Sequence, residues 1–126
     1  MKKLNKTLEI NGHEFYFNYL DIDFREKLDK CNEVFLKKID VPDKQVEKDE
    51  IGCMGIQCTA AFEFIDGVFG EGAAQKVFDG KRDLDACYDT IAAVYALTEE
   101  QRIAFSEKGQ ATSFYGNKIK EDERFN

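Results

Sequence analysis

Residues 51–69, IGCMGIQCTAAFEFIDGVF, constrain the fold more than any other stretch of the chain. At about 100° per residue, Ile51, Met54, Cys58, Phe62, Ile65 and Phe69 fall on one stripe of a helix. Ile56, Ala60 and Phe64 fall on the opposite side, and Glu63 and Asp66 make the clearly polar strip between the two. A helix that is apolar on two faces does not lie on a surface with one side in water. It is either the central helix of the fold or a helix that meets a second chain. Two outcomes are open for the second face. Ile56, Ala60 and Phe64 lie at or near a contact between copies, or an alanine-rich helix over 83–97 covers them within the chain.

The flanking sequence supplies the partners for such a helix. Leu8-Glu9-Ile10 and Phe15-Tyr16-Phe17 surround Asn11-Gly12, a pair that accepts the positive φ values of a type I′ hairpin turn. Pairing outward from the turn sets Ile10 opposite His13 and Leu8 opposite Phe15. Leu8, Ile10, Phe15 and Phe17 then share one face. A two-stranded ribbon is barely stable alone, so this face needs a cover. The next stretch offers one. Asp21 or Asp23 can cap a helix start, Asp23 and Glu26 have capping-box spacing, and Leu20, Phe24, Leu28, Cys31, Phe35 and Ile39 recur at helical steps. Pro42 ends that helix. Residues 40–50 form either a linker or the solvated first turns of the next helix.

Gly70 stops the central helix, a short helix follows to Asp79, and Asp83 can cap another. The stripe there is Leu84, Cys87, Tyr88, Ile91, Val94 and Tyr95. Thr98 and Gln101 have the spacing of a second capping box, which predicts a break near Leu97 and a restart. The expected fold is mainly α with a single N-terminal β-hairpin near 7–18. Helices are expected near 21–39, 45–69, 73–79 and 83–97, with a further one over 99–108. Residues 1–108 read as one helical domain and 109–126 as a polar tail, with Phe114, Tyr115, Ile119 and Phe125 as its apolar points.

No catalytic equipment stands out. His13 is the one imidazole and sits at the hairpin turn. A zinc site needs paired soft ligands, and Cys31, Cys53, Cys58 and Cys87 contain no C-x-x-C. Cys31, Cys58 and Cys87 fall on apolar stripes and read as core thiols, while Cys53 falls off its stripe and is expected to be the accessible one. Gly70-Glu71-Gly72 matches neither phosphate-binding glycine pattern, and Glu71 would repel phosphate. Carboxylates are plentiful, but with 25 Asp and Glu no pair has a context that would separate two pKa values. The net charge of -7 argues against nucleic acid or an anionic membrane as the main partner. No apolar run reaches the roughly 18 residues of a membrane span, and the first residues carry no apolar signal region. The chain is therefore expected to be a cytoplasmic, non-catalytic protein without cofactor or metal, whose work is binding other proteins.

The opening LEINGHEFYFNYLDIDF and the centre FEFIDGVFGEGAAQKVFDGKRDLDACYDTI resemble the small tail assembly chaperones of long-tailed phages and prophages of Gram-positive bacteria. The resemblance runs over roughly residues 8–97. The hairpin part is generic. The segment F-x-D-x-x-F-G-E-G-x-x-x-K-x-F-x-G-K, from Phe64 to Lys81, is the distinctive part. The resemblance implies a mainly helical protein that associates with itself in rings or spirals. It implies that the protein coats the helix-rich tape-measure protein until tail-tube subunits replace it, and that it is absent from the finished virion. It further implies a longer frameshifted form that recruits tube protein. No catalytic residues carry over. The family's glycine-rich corner maps onto Phe69, Gly70, Glu71 and Gly72, which are expected to be structural. The residues alone leave a second reading open, a small acidic regulator that binds and inhibits one host or phage protein.

Overall fold

A computed structural model describes residues 4–112. Strands β1 (Thr7–Ile10) and β2 (His13–Tyr16) pair antiparallel, with Leu8 opposite Phe15 and Ile10 opposite His13. Asn11 and Gly12 take φ of 50° and 80°, the two positive values that the tight turn requires. Leu8, Ile10 and Phe17 are buried and Phe15 is half-buried, so the predicted face turns inward.

Five helices follow among the described residues, completing a mainly α fold with one hairpin. Helix α1 (Ile22–Ile39) is capped by Asp21, whose carboxylate accepts from the Asp23 and Phe24 amides. Helix α2 (Asp43–Lys48) is separate from α3 (Glu50–Phe69), where a single helix from residue 45 was expected. The break is at Asp49, which leaves helical geometry at φ -150° and spends its side chain on the Gly52 amide. Gly70 ends α3 at φ 105°, and α4 (Ala73–Phe78) closes on Asp79 and Gly80, both left-handed. Asp83 starts α5 (Leu84–Thr112) by accepting from Asp85 and Ala86.

Helix α3 is the centre of the fold. Phe35 of α1 lies 5.4 Å from Phe64, and a Cβ on Gly67 would sit 2.6 Å from the Cys31 sulfur, so α1 approaches as closely as a glycine allows. Cys58 meets Cys87 of α5 at 3.8 Å, and Phe62 stacks on Phe78 of α4 at 4.7 Å. At the end of α3, the Phe69 ring lies 4.9 Å from Phe15, 6.3 Å from Phe17 and 6.4 Å from Phe24. The hairpin therefore rests on α1 and on the last turn of α3 together.

This packing corrects several expectations. Ala60 and Phe64 are each 2% exposed, and the element above them is α1. The alanine-rich helix is not what covers them within the chain. Ile56 alone of that trio stays at the surface. Ile51 and Met54 are exposed because the first turns of α3 extend beyond the main core. Cys53 is buried in the part of α3 against which α2 packs, and Cys31 is the more exposed thiol. Helix α5 has no break near Leu97 and passes the expected boundary at 108. Residues 113–126, the remainder of the expected tail with Phe114, Tyr115, Ile119 and Phe125, lie outside the described residues.

The reason α5 continues is that its buried stripe is partly polar. Cys87, Thr90, Val94, Leu97 and Gln101 are all buried and follow one another at alternating steps of three and four. Arg102 falls beside that stripe and pairs with Glu99 at the surface. The hydroxyl of Thr98 donates to the Val94 carbonyl within the helix and caps nothing.

Candidate functional site

Helices α1 and α5 each pack on α3, and between them runs an apolar groove of about 370 Å³. Gln57 and Ala61 of α3 form its floor. Leu36 and Ile39 form the α1 wall, and Tyr88 and Tyr95 stand on the α5 side. The wall side chains follow from helical phase: Phe35 and Cys87 point at α3, so Leu36 and Tyr88, one residue on, turn about 100° outward. Leu36 is 48% exposed, Tyr88 59% and Tyr95 41%. The tyrosine hydroxyls are spent on the edges. Tyr95 donates to Asn32 of α1 at 2.7 Å, and Tyr88 donates to Gln57 at 3.1 Å. Burial raises the Tyr95 phenol above its ordinary pKa. The Tyr95–Asn32 bond ties α5 to α1 at one end of the groove. An open trough of this size with polar atoms fixed at its margins suits an apolar side-chain row better than a reacting substrate.

Cys87 also faces the groove, and its thiol is pushed up to about 12 by burial and by the Cys58 sulfur. A thiol so placed is a poor nucleophile at neutral pH. Burial likewise raises Cys31. His13 is exposed at the start of β2 and far from all four cysteines in sequence. Among the described residues no group of three or more His, Cys, Asp or Glu side chains could hold a metal ion.

Most fixed positions of the distinctive Phe64–Lys81 segment have a structural task, and Glu71, Lys76 and Lys81 are exposed. Phe64 packs on Phe35, Phe69 joins the ring cluster, and Phe78 stacks on Phe62. The Asp66 carboxylate reaches across the corner to accept from the Ala74 amide at 2.8 Å, which caps α4. Gly70 and Gly72 take φ of 105° and 90°, while Glu71 between them points to solvent. Asn11 of the hairpin turn donates to the Val77 carbonyl, fastening the hairpin to α4.

Sequence reasoning read Gln101 as a capping-box partner of Thr98 and missed its actual role. It is 1% exposed, and its amide oxygen accepts from the Tyr19 amide at 2.7 Å. Its nitrogen donates to the carbonyls of Phe17, at 2.8 Å, and Asn5. One side chain thus satisfies backbone groups on both sides of the hairpin and holds its base to α5. The available signal was positional: Gln101 continues the three–four spacing set by Cys87, Val94 and Leu97.

Fold and groove together define a small, mainly helical protein with an open apolar trough between two of its helices. Its sequence matches the family of unknown function DUF6673 over residues 11–125, and the chain belongs to that family. No curated protein and no solved structure matches the chain. No helix among the described residues is long and apolar enough to cross a membrane.

Proposed function

We propose that the chain is a non-catalytic tail assembly chaperone of a long-tailed phage or prophage, working in the host cytoplasm and absent from the finished virion. It self-associates and holds the tape-measure protein until tube subunits displace it, and a longer frameshifted form brings tube protein to the complex. The observation that carries this reading is the α1–α5 groove, whose apolar walls stay open to solvent. An unassembled tape-measure chain exposes apolar helix faces that aggregate. Grooves of this kind, repeated along a self-associated chaperone, would give avidity from contacts that are individually weak and therefore displaceable. Self-association would use surface other than Ala60 and Phe64, and Ile56 is the exposed apolar residue nearest to them on α3.

The test is co-expression with the protein encoded by the very long reading frame expected beside this gene. The chaperone should keep that protein soluble, co-purify with it, and scatter light as an oligomer at about 100 μM. A strict monomer that leaves the long protein insoluble overturns the reading. Tight one-to-one inhibition of an unrelated protein would replace it with the acidic-regulator reading.

A further inference from the structure

We infer that the α1–α5 groove takes an amphipathic helix whose apolar stripe is flanked by lysines and arginines. This rests on the reading of the chain as a binder of helical partners, and adds which surface does the binding and what chemistry it selects. The selection comes from the rim. At about 100° per residue, Glu33 and Asp40 flank Leu36 on the solvent side of α1, and Asp85 and Asp89 flank Tyr88 on α5. Glu50 stands two turns before Gln57 on the same face of α3. All five carboxylates are exposed. Lys37 lies on the same arc of α1 and pairs with Glu33 at 3.2 Å, so the net negative charge of the rim comes from Asp40, Asp85, Asp89 and Glu50.

The other flank of α3 shows that this is a local arrangement and more than a consequence of the net charge. There Lys30 and Lys38 of α1, and Arg82 before α5, border the surface around Ala60 and Glu63, and Lys38 pairs with Glu63. Lys30 and Lys38 lie on that side of α1, whereas Glu33 and Asp40 lie toward the groove. An apolar trough between acidic rims attracts a helix with the opposite edge charges, steers its approach and rejects acidic helices. From Leu84 to Tyr95 the wall is about 16 Å long, which matches about three turns of partner helix. Apolar anchors at i, i+3 or i+4, and i+7 would face the groove.

The experiment uses the full chain and two labelled helical peptides with the same leucine spacing, one edged with lysines and one with glutamates. By fluorescence anisotropy at low salt, the lysine peptide should bind at least about tenfold more tightly, and 1 M salt should shrink the difference. Leu36→Asp, an exposed position, should weaken the lysine peptide about tenfold or more without changing the melting curve. The pair Asp40→Lys and Asp89→Lys should abolish the preference while leaving apolar binding. Equal binding of both peptides, or no binding, overturns the proposal. So does indifference to Leu36→Asp, or a dimer of the chain alone that Leu36→Asp dissolves. If Leu36→Asp unfolds the chain, Ala92→Arg on the opposite wall replaces it, with the same outcomes required. The same assays with tape-measure fragments separate this inference from the chaperone reading. Fragments that bind Leu36→Asp and the parent equally well defeat the groove assignment alone. A groove that binds the lysine peptide but no tape-measure fragment defeats the chaperone reading alone.

Discussion

The ring cluster at Phe69 and the α1–α5 groove are both built from large apolar side chains around α3, yet one is closed and the other is open. At Phe69, the hairpin folds over the junction of α1 and α3, and Phe17 reaches 0% exposure. Along the groove no described element lies over Leu36, Tyr88 and Tyr95, and the tyrosines reach polar partners only through their hydroxyls. The apolar groups therefore do different things. In the cluster they are removed from water on folding and stabilise the chain. In the groove much of their area stays wet, so its burial remains to be gained on binding.

Truncation should separate the two regions most sharply. Phe17→Ala should cost about 3–5 kcal/mol in a denaturant titration, and Leu36→Ala less than about 0.5 kcal/mol. Equal losses would mean that the groove is part of the stabilising core. Gln101→Leu comes next, at about 1–3 kcal/mol, because the buried Phe17 carbonyl and the half-buried Tyr19 amide would lose their partner. Hydrogen exchange at Tyr19 should accelerate in that variant. If stability is unchanged, the hairpin base is not held by this side chain. Asp66→Ala should cost about 1 kcal/mol by uncapping α4, and an unaltered melting curve would remove that role.

Smaller effects distinguish the regions by titration and reactivity. The Tyr16 hydroxyl and the Phe24 and Asp23 amides hold Asp21 below its ordinary pKa of 3.8. A carboxylate depressed by folding stabilises above its unfolded pKa, and that contribution is lost as pH falls through the folded value. Asp21→Asn should therefore flatten part of the acid limb of stability, and identical acid limbs would show that the cap is energetically silent. Native thiol labelling should reach Cys31 first. Cys87 should react slowly, since burial and the Cys58 sulfur hold its thiol protonated although it borders the groove. Early labelling of Cys87 would mean that the groove opens to its floor.

Much of the fold was legible because its signals are local. Asn11-Gly12 determines the turn and hence the register that places Leu8 opposite Phe15. Asp21, Asp83 and Gly70 mark helix ends through bonds or dihedral angles within a few residues of themselves. The candidate contact Ile56, Ala60 and Phe64 was legible only as an apolar face. Periodicity shows that a face needs a cover without naming the cover, and α1 took that position through the close approach at Gly67. The α5 break was misread for a related reason. A capping box and a buried polar stripe share the Thr98–Gln101 spacing, and the choice between them depends on backbone groups 82 and 84 residues away.

By itself, then, the sequence determined the hairpin and its register, the caps at Asp21 and Asp83, the stop at Gly70 and the need for α3 to be covered on two sides. Tertiary structure decided which element covers which face, where Gln101 spends its amide, and that α1 and α5 stand apart over Gln57 and Ala61. Caps and turns close within a few residues, so residue type and spacing suffice to specify them. A groove is the space left between elements far apart in the chain, and its width depends on how closely each packs on their shared neighbour.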